Sequence, residues 1–81
     1  MNGTSKQIKW AQDIIDKTET ALAELITAYG PAPEEILAYV QGITVCRDAK
    51  YVIDSPLRQV STSRDLLEVL AFEGLEWEVA P

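Results

Sequence analysis

"TSKQIKWAQDIIDKTETALAELITAYGP" (residues 4–31) decides the fold. Thr4 and Gln7 have the spacing of a capping box, in which a hydroxyl and an amide satisfy otherwise orphan backbone amides. Apolar residues then recur at Ile8, Ala11, Ile15, Leu22, Leu25 and Tyr29, with Thr18 alone interrupting the three-four alternation. Ile14, Ala21, Ile26 and Ala28 widen this stripe to an arc of about 160°, broader than a two-stranded coiled-coil seam. Such an arc suits packing against two neighbouring helices. Lys9, Asp13 and Lys17 follow one another at four-residue spacing on the opposite face and can pair there. Gly30 supplies a stop, and Pro31 and Pro33 forbid continuation. At about 1.5 Å per residue the helix is nearly 40 Å long, the scaffold of the domain.

Outward from this helix the chain reads as short helical pieces. In "GPAPEE" (30–35), Pro33 suits a first helical position, and Glu34 and Glu35 sit where the helix dipole favours negative charge. Ile36, Leu37, Tyr39, Val40 and Ile43 form an apolar face, and Gly42 is expected to end or fray the helix. The short connection predicts an antiparallel hairpin with the first helix. "ITVCRDAKYVIDSP" (43–56) is ambiguous: its β-branched residues allow a strand, whereas Asp48 as N-cap and Pro56 as terminator bound a short helix, the favoured reading. In "STSRDLLEVLAFEG" (61–74), Thr62 or Ser63 caps, Asp65 lies in the first turn, Leu66, Leu67, Val69, Leu70 and Phe72 pack, and Gly74 stops the helix. The tail "LEWEV" (75–79) alternates apolar and acidic residues. That period allows a strand beside "ITVC" or a segment laying Leu75, Trp77 and Val79 across the core.

The expected fold is therefore all-α, a compact three- or four-helix domain with a possible short strand at the C-terminal tail. Its 81 residues form one domain, with residues 1–4 expected to be disordered and 75–81 an acidic tail. No apolar run approaches the roughly 18 residues of a membrane span, and the N-terminus lacks a signal-peptide core, so a cytoplasmic location is expected.

The chain has no histidine and a single cysteine, Cys46. The commonest general base, the commonest metal ligand and an internal disulfide are thereby absent, so neither cofactor, metal nor catalytic residue is expected. The acidic pairs Glu34–Glu35, Asp65–Glu68 and Glu73–Glu76 lack the convergent oxygens that a hard metal needs. An enzyme is not expected.

Charge points to a protein partner. The net charge is −6, and no basic residue follows Arg64, whereas Asp65, Glu68, Glu73, Glu76 and Glu78 do. Such a segment repels phosphate and attracts a basic surface, including one that normally grips nucleic acid. A second candidate lies at Lys6, Lys9 and Trp10. Tryptophan is a common hot-spot residue, although at the edge of an apolar arc it also serves as a peripheral core anchor.

Two stretches together resemble a group of small proteins carried by bacteriophages and integrative mobile elements. "GTSKQIKWAQDII" (3–15) is similar to their opening, Gly-Thr/Ser-x-Lys-Gln-Ile-x-Trp-Ala-x-x-Ile. "DAKYVID" (48–54) is similar to their second block, Asp-Ala-Lys-aromatic-x-Ile-Asp. The two cover about a quarter of the chain. Val52 stands where the group carries a second aromatic, and "SPL" separates Asp54 from Arg58. The resemblance implies a phage or mobile-element origin and a bacterial host. Paired, the blocks suggest mutual docking, with Trp10 on Tyr51 and Lys6 or Lys9 meeting Asp54. Small size, acidity and missing catalytic groups then favour a binding protein that inhibits a host defence complex, of the anti-CRISPR type. The alternative is a structural or accessory interaction module, a homodimer through spare apolar area on the first helix.

Overall fold

The first helix, α1 (Ser5–Tyr29), forms as its capping box requires. The Thr4 hydroxyl accepts the Gln7 N–H at 3.2 Å, and the Thr4 N–H donates to the Gln7 side-chain amide oxygen, Oε1, at 3.0 Å. The computed structural model describes residues 2–77. Along α1 the buried residues are Ala11, Ile14, Ile15, Thr18, Ala21 and Leu25. Thr18, expected to interrupt the stripe, lies fully buried at its centre, while Ile26 and Ala28 face solvent. The contact stripe is thus narrower than the apolar arc. Small side chains at 11, 18 and 21 let a neighbouring backbone come close, and close packing rather than hydrophobicity selects the buried positions.

Gly30, at φ +95°, ends α1 and donates its N–H to the Ile26 carbonyl at 2.8 Å. Helix α2 (Glu34–Thr44) follows with Pro33 as its N-cap residue, one position earlier than expected, because ψ of 146° keeps Pro33 extended. The helix does not stop at Gly42 but runs two residues further, its last turn closed by the Val45 N–H on the Gln41 carbonyl at 3.0 Å. Nor do α1 and α2 make the tight hairpin expected. The closest backbone neighbours of α1 are α3 and α4, and α2 draws nearest to α3. Ile36, Val40 and Ile43 carry the buried face of α2 into the shared core.

The ambiguous stretch resolves as helix. Asp48 accepts the Lys50 N–H at 3.1 Å and starts α3 (Ala49–Asp54). Ser55, buried, donates its hydroxyl to the Val52 carbonyl at 2.6 Å. Pro56 then opens a 3-10 turn, Pro56–Gln59, anchored by the fully buried Leu57. Sequence periodicity carries no trace of it, since one turn holds one core residue. Thr62 caps α4 (Ser63–Phe72), which Gly74 terminates at φ +77°. The Leu75 N–H on the Leu70 carbonyl (2.8 Å) and the Gly74 N–H on the Ala71 carbonyl (3.0 Å) complete a Schellman closure.

Both ends of the described chain are packed. Residues 2–4, expected to be disordered, are held by a parallel bridge between Asn2 and Asp48. The Asn2 N–H donates to the Arg47 carbonyl, and the Ala49 N–H donates to the Asn2 carbonyl at 2.9 Å. At the other end Trp77 is buried and Leu75 half-buried against the core. No strand forms among the described residues, so of the two readings of the tail the core-crossing one holds for Leu75 and Trp77. Val79 lies outside the described residues.

The result is an all-α domain of four α-helices built on a long N-terminal helix. Its radius of gyration is 12.6 Å and its extents are 45 × 18 × 18 Å, so α1 sets the long dimension. Among the described residues no helix is long and apolar enough to cross a membrane.

Candidate functional site

Two grooves lie on either side of the Asp54–Ser55–Pro56 corner, where α3 passes into the 3-10 turn. The corner exists because Pro56 cannot continue α3 and Ser55 satisfies the freed Val52 carbonyl. Helix α4 runs back past it, and the spacing of Asp65, Glu68 and Phe72 (i, i+3, i+7) sets these three side chains on one face. They line the larger groove, of about 470 Å³, together with Asp54 and Arg58. The smaller groove, of about 290 Å³, is bordered by Tyr39 from α2, Tyr51 and Asp54 from α3, and Glu73 at the end of α4.

The aromatic residues give this face its chemistry. Phe72, expected in the core, is 89 % exposed, and Tyr51 is 54 % exposed. One face of α4 holds all its buried residues, Leu66, Val69 and Leu70, and Phe72 falls off that face by helical geometry. Exposed aromatic surface bordered by charge is characteristic of contact sites.

The acidic residues singled out from the sequence divide by role. Asp65 is held by the fold: its carboxylate accepts the Ser61 and Thr62 N–H groups, each at 3.1 Å, as half of the α4 capping box. Glu68 lies 3.8 Å from Arg64, with both side chains largely in solvent, a pairing worth little. Glu73 opens onto the smaller groove. Glu76 is exposed and lines neither groove. Glu78 lies outside the described residues. Asp54, Tyr39 and Phe72 join the face without having been singled out as acidic-surface or partner-binding residues. Only the tertiary fold brings Asp54 beside Phe72 in the larger groove and beside Tyr39 in the smaller one.

The second candidate set lies apart from these grooves. Lys6 and Lys9 are exposed, and Trp10 is 54 % exposed and outside the core cluster. The expected ion pair from Lys6 or Lys9 to Asp54 does not form. The pairs among the described residues are Asp13–Lys17 at 3.1 Å and Arg64–Glu68. Asp13 thus pairs with Lys17 and not with Lys9.

Tyr39 is electrostatically distinct. Its hydroxyl oxygen is buried without a hydrogen-bond partner. Desolvation raises its pKa above the usual tyrosine value, and the nearby Glu73 and Tyr51 raise it further. The phenol stays neutral through the physiological range. Such a buried, unpaired polar group costs about 1–3 kcal/mol. Among the described residues no group of three or more His, Cys, Asp or Glu side chains is placed to hold a metal ion. Compared with protein-family models, curated proteins and solved structures, the chain matches none.

Proposed function

We propose that this protein is a non-enzymatic inhibitor, carried by a phage or mobile element, that binds a nucleic-acid-gripping host defence complex of the kind anti-CRISPR proteins target. The observation that carries this reading is the clustering of Asp54, Glu68 and Glu73 around exposed Tyr51 and Phe72. Arg58 is the one basic residue lining the two grooves among the described residues. Carboxylates on a rigid helical face compete for lysines and arginines that would otherwise hold phosphate. The aromatic rings add the desolvated contact that binding strength requires. The phage-like blocks at residues 3–15 and 48–54 supply the biological context.

The test mixes the protein with such complexes and measures how much DNA or RNA they retain. Inhibition is expected to weaken about tenfold or more in a Glu68→Lys, Glu73→Lys double variant, since like charges across an interface are strongly unfavourable. Full inhibition by that variant defeats the acidic-face mechanism. A second reading, a module that self-associates through α1, draws on exposed Ile26 in file with half-buried Leu22 and Tyr29. Sedimentation decides it: a dimer that persists on dilution supports it, and a monomer at all concentrations removes it.

A further inference from the structure

The bridge between Asn2 and Asp48 draws the start of α1 to the start of α3 and gathers basic side chains at one end of the molecule. We propose that this end binds single-stranded nucleic acid, separately from the acidic face. Lys6, Lys9, Arg47 and Lys50, all exposed, stand within about two helical turns of the bridge. One carboxylate opposes them, Asp48, which caps α3. Residues 2–10 and 45–51 thus carry four positive charges and one negative, or +3, which leaves −9 on the rest of a chain whose net charge is −6. None of the four cations is in an ion pair among the described residues, whose two pairs are Asp13–Lys17 and Arg64–Glu68. Asp13, the next acid along α1, is itself offset by Lys17 at 3.1 Å. The first turn of α1 holds no acidic residue, so the helix dipole adds to the positive potential there.

Two aromatic rings select among anionic partners. Trp10 lies one turn beyond Lys6 on α1, and Tyr51 follows Lys50 on α3; both rings are exposed. Cations interleaved with exposed rings suit a single strand, whose phosphates meet the cations while its unstacked bases lie on the rings. A duplex hides its base faces in the stack, and an acidic peptide brings carboxylates but no bases. An anionic membrane surface needs a free apolar helix face as well, and that of α1 is buried in the core. Farther along α1, Glu19 and Glu24 stand about 15 Å or more from Lys9, beyond the screening length of about 10 Å at 0.1 M salt.

The test follows fluorescein-labelled oligothymidylate and oligouridylate of twelve nucleotides by anisotropy at about 50 mM salt. A DNA duplex of the same length and a glutamate peptide serve as comparisons. Affinity for the strands is expected to fall about tenfold or more in Lys6→Glu, Lys9→Glu and about fivefold or more in Trp10→Ala. Arg58→Glu, Arg64→Glu, the same change of net charge elsewhere, should alter it by less than about twofold. Log affinity should decline with log salt at a slope of about −2 to −3, as three or four phosphate contacts require. Stacking should also quench tryptophan fluorescence, and Trp10→Phe should abolish the quenching because Trp77 is buried. No binding, equal or tighter binding of the duplex or the glutamate peptide, or full affinity in Lys6→Glu, Lys9→Glu or in Trp10→Ala overturns the proposal. That failure leaves the inhibition assay with Glu68→Lys, Glu73→Lys untouched. Conversely, that variant should still bind the strands even where it no longer inhibits a complex.

Discussion

Asp65 and Tyr39 show how differently two polar side chains on the same face serve the protein. Asp65 reads from sequence both as a first-turn acid and as a member of an acidic surface, and its bonds to Ser61 and Thr62 place it in the first role. Asp65→Ala is expected to lower stability by about 1 kcal/mol in urea denaturation, as loss of a capping partner does. Its effect on partner binding should be small beside that of Glu73→Lys. Tyr39 has a raised pKa, from burial first and then from Glu73 and Tyr51. Between the unfolded tyrosine value near 10 and the higher folded one, the unfolded chain releases a proton that the folded chain keeps. Stability from this group is therefore complete below about pH 10 and is lost as pH rises through that window. Tyr39→Phe should flatten the alkaline limb of the melting temperature against pH, and an unchanged limb would show that Tyr39 does not titrate there.

At the scale of helices, local sequence rules governed how α1, α3 and α4 start, and packing governed how far α2 extends. The Thr4–Gln7 and Thr62–Asp65 boxes are complete where their spacing places them. Gly42, by contrast, is a weak helix breaker overruled by its neighbours, because Ile36, Val40 and Ile43 are anchored on one face across it. It is exposed, and a Cβ there would meet nothing within 4 Å. Gly42→Ala is expected to stabilise the protein by about 0.5–1 kcal/mol, read from the chemical denaturation midpoint. Thr18 presents the opposite case. Its hydroxyl is buried and unpartnered, whereas those of Thr20 and Thr27 donate to carbonyls four residues back. Thr18→Val keeps the shape that allows α1 to pack closely and removes the stranded polar atom. A gain of about 1 kcal/mol is expected, and a loss would mean the hydroxyl is satisfied in solution.

For the whole molecule, the N-terminal residues are joined to the start of α3. Gly3 stands at φ +139°, where a Cβ would lie 3.0 Å from that of Ala49, which is fully buried. The backbone bonds here run from Asn2 to Arg47 and Ala49, and no Lys6 or Lys9 pair to Asp54 forms among the described residues. Gly3→Ala combines backbone strain with a close approach and should cost about 1–3 kcal/mol. Amide exchange at Ala49 should quicken in the same variant. Unchanged protection there would separate the N-terminal residues from the stability of α3.

Sequence alone determined the helical class, the long α1, the cap at Thr4, a cap at Thr62 or Ser63, and the acidity of the α4 end, and it favoured Asp48 as the cap of α3. These follow from periodicity, side-chain chemistry and charge within a few residues of one another. Tertiary structure decided which helices are neighbours, that Thr18 is core and Phe72 surface, and that Tyr39, Asp54 and Glu73 share a groove. The physical reason is that burial depends on which small residues permit close approach, and a shared groove depends on chain segments far apart in sequence meeting at the turn Pro56 imposes.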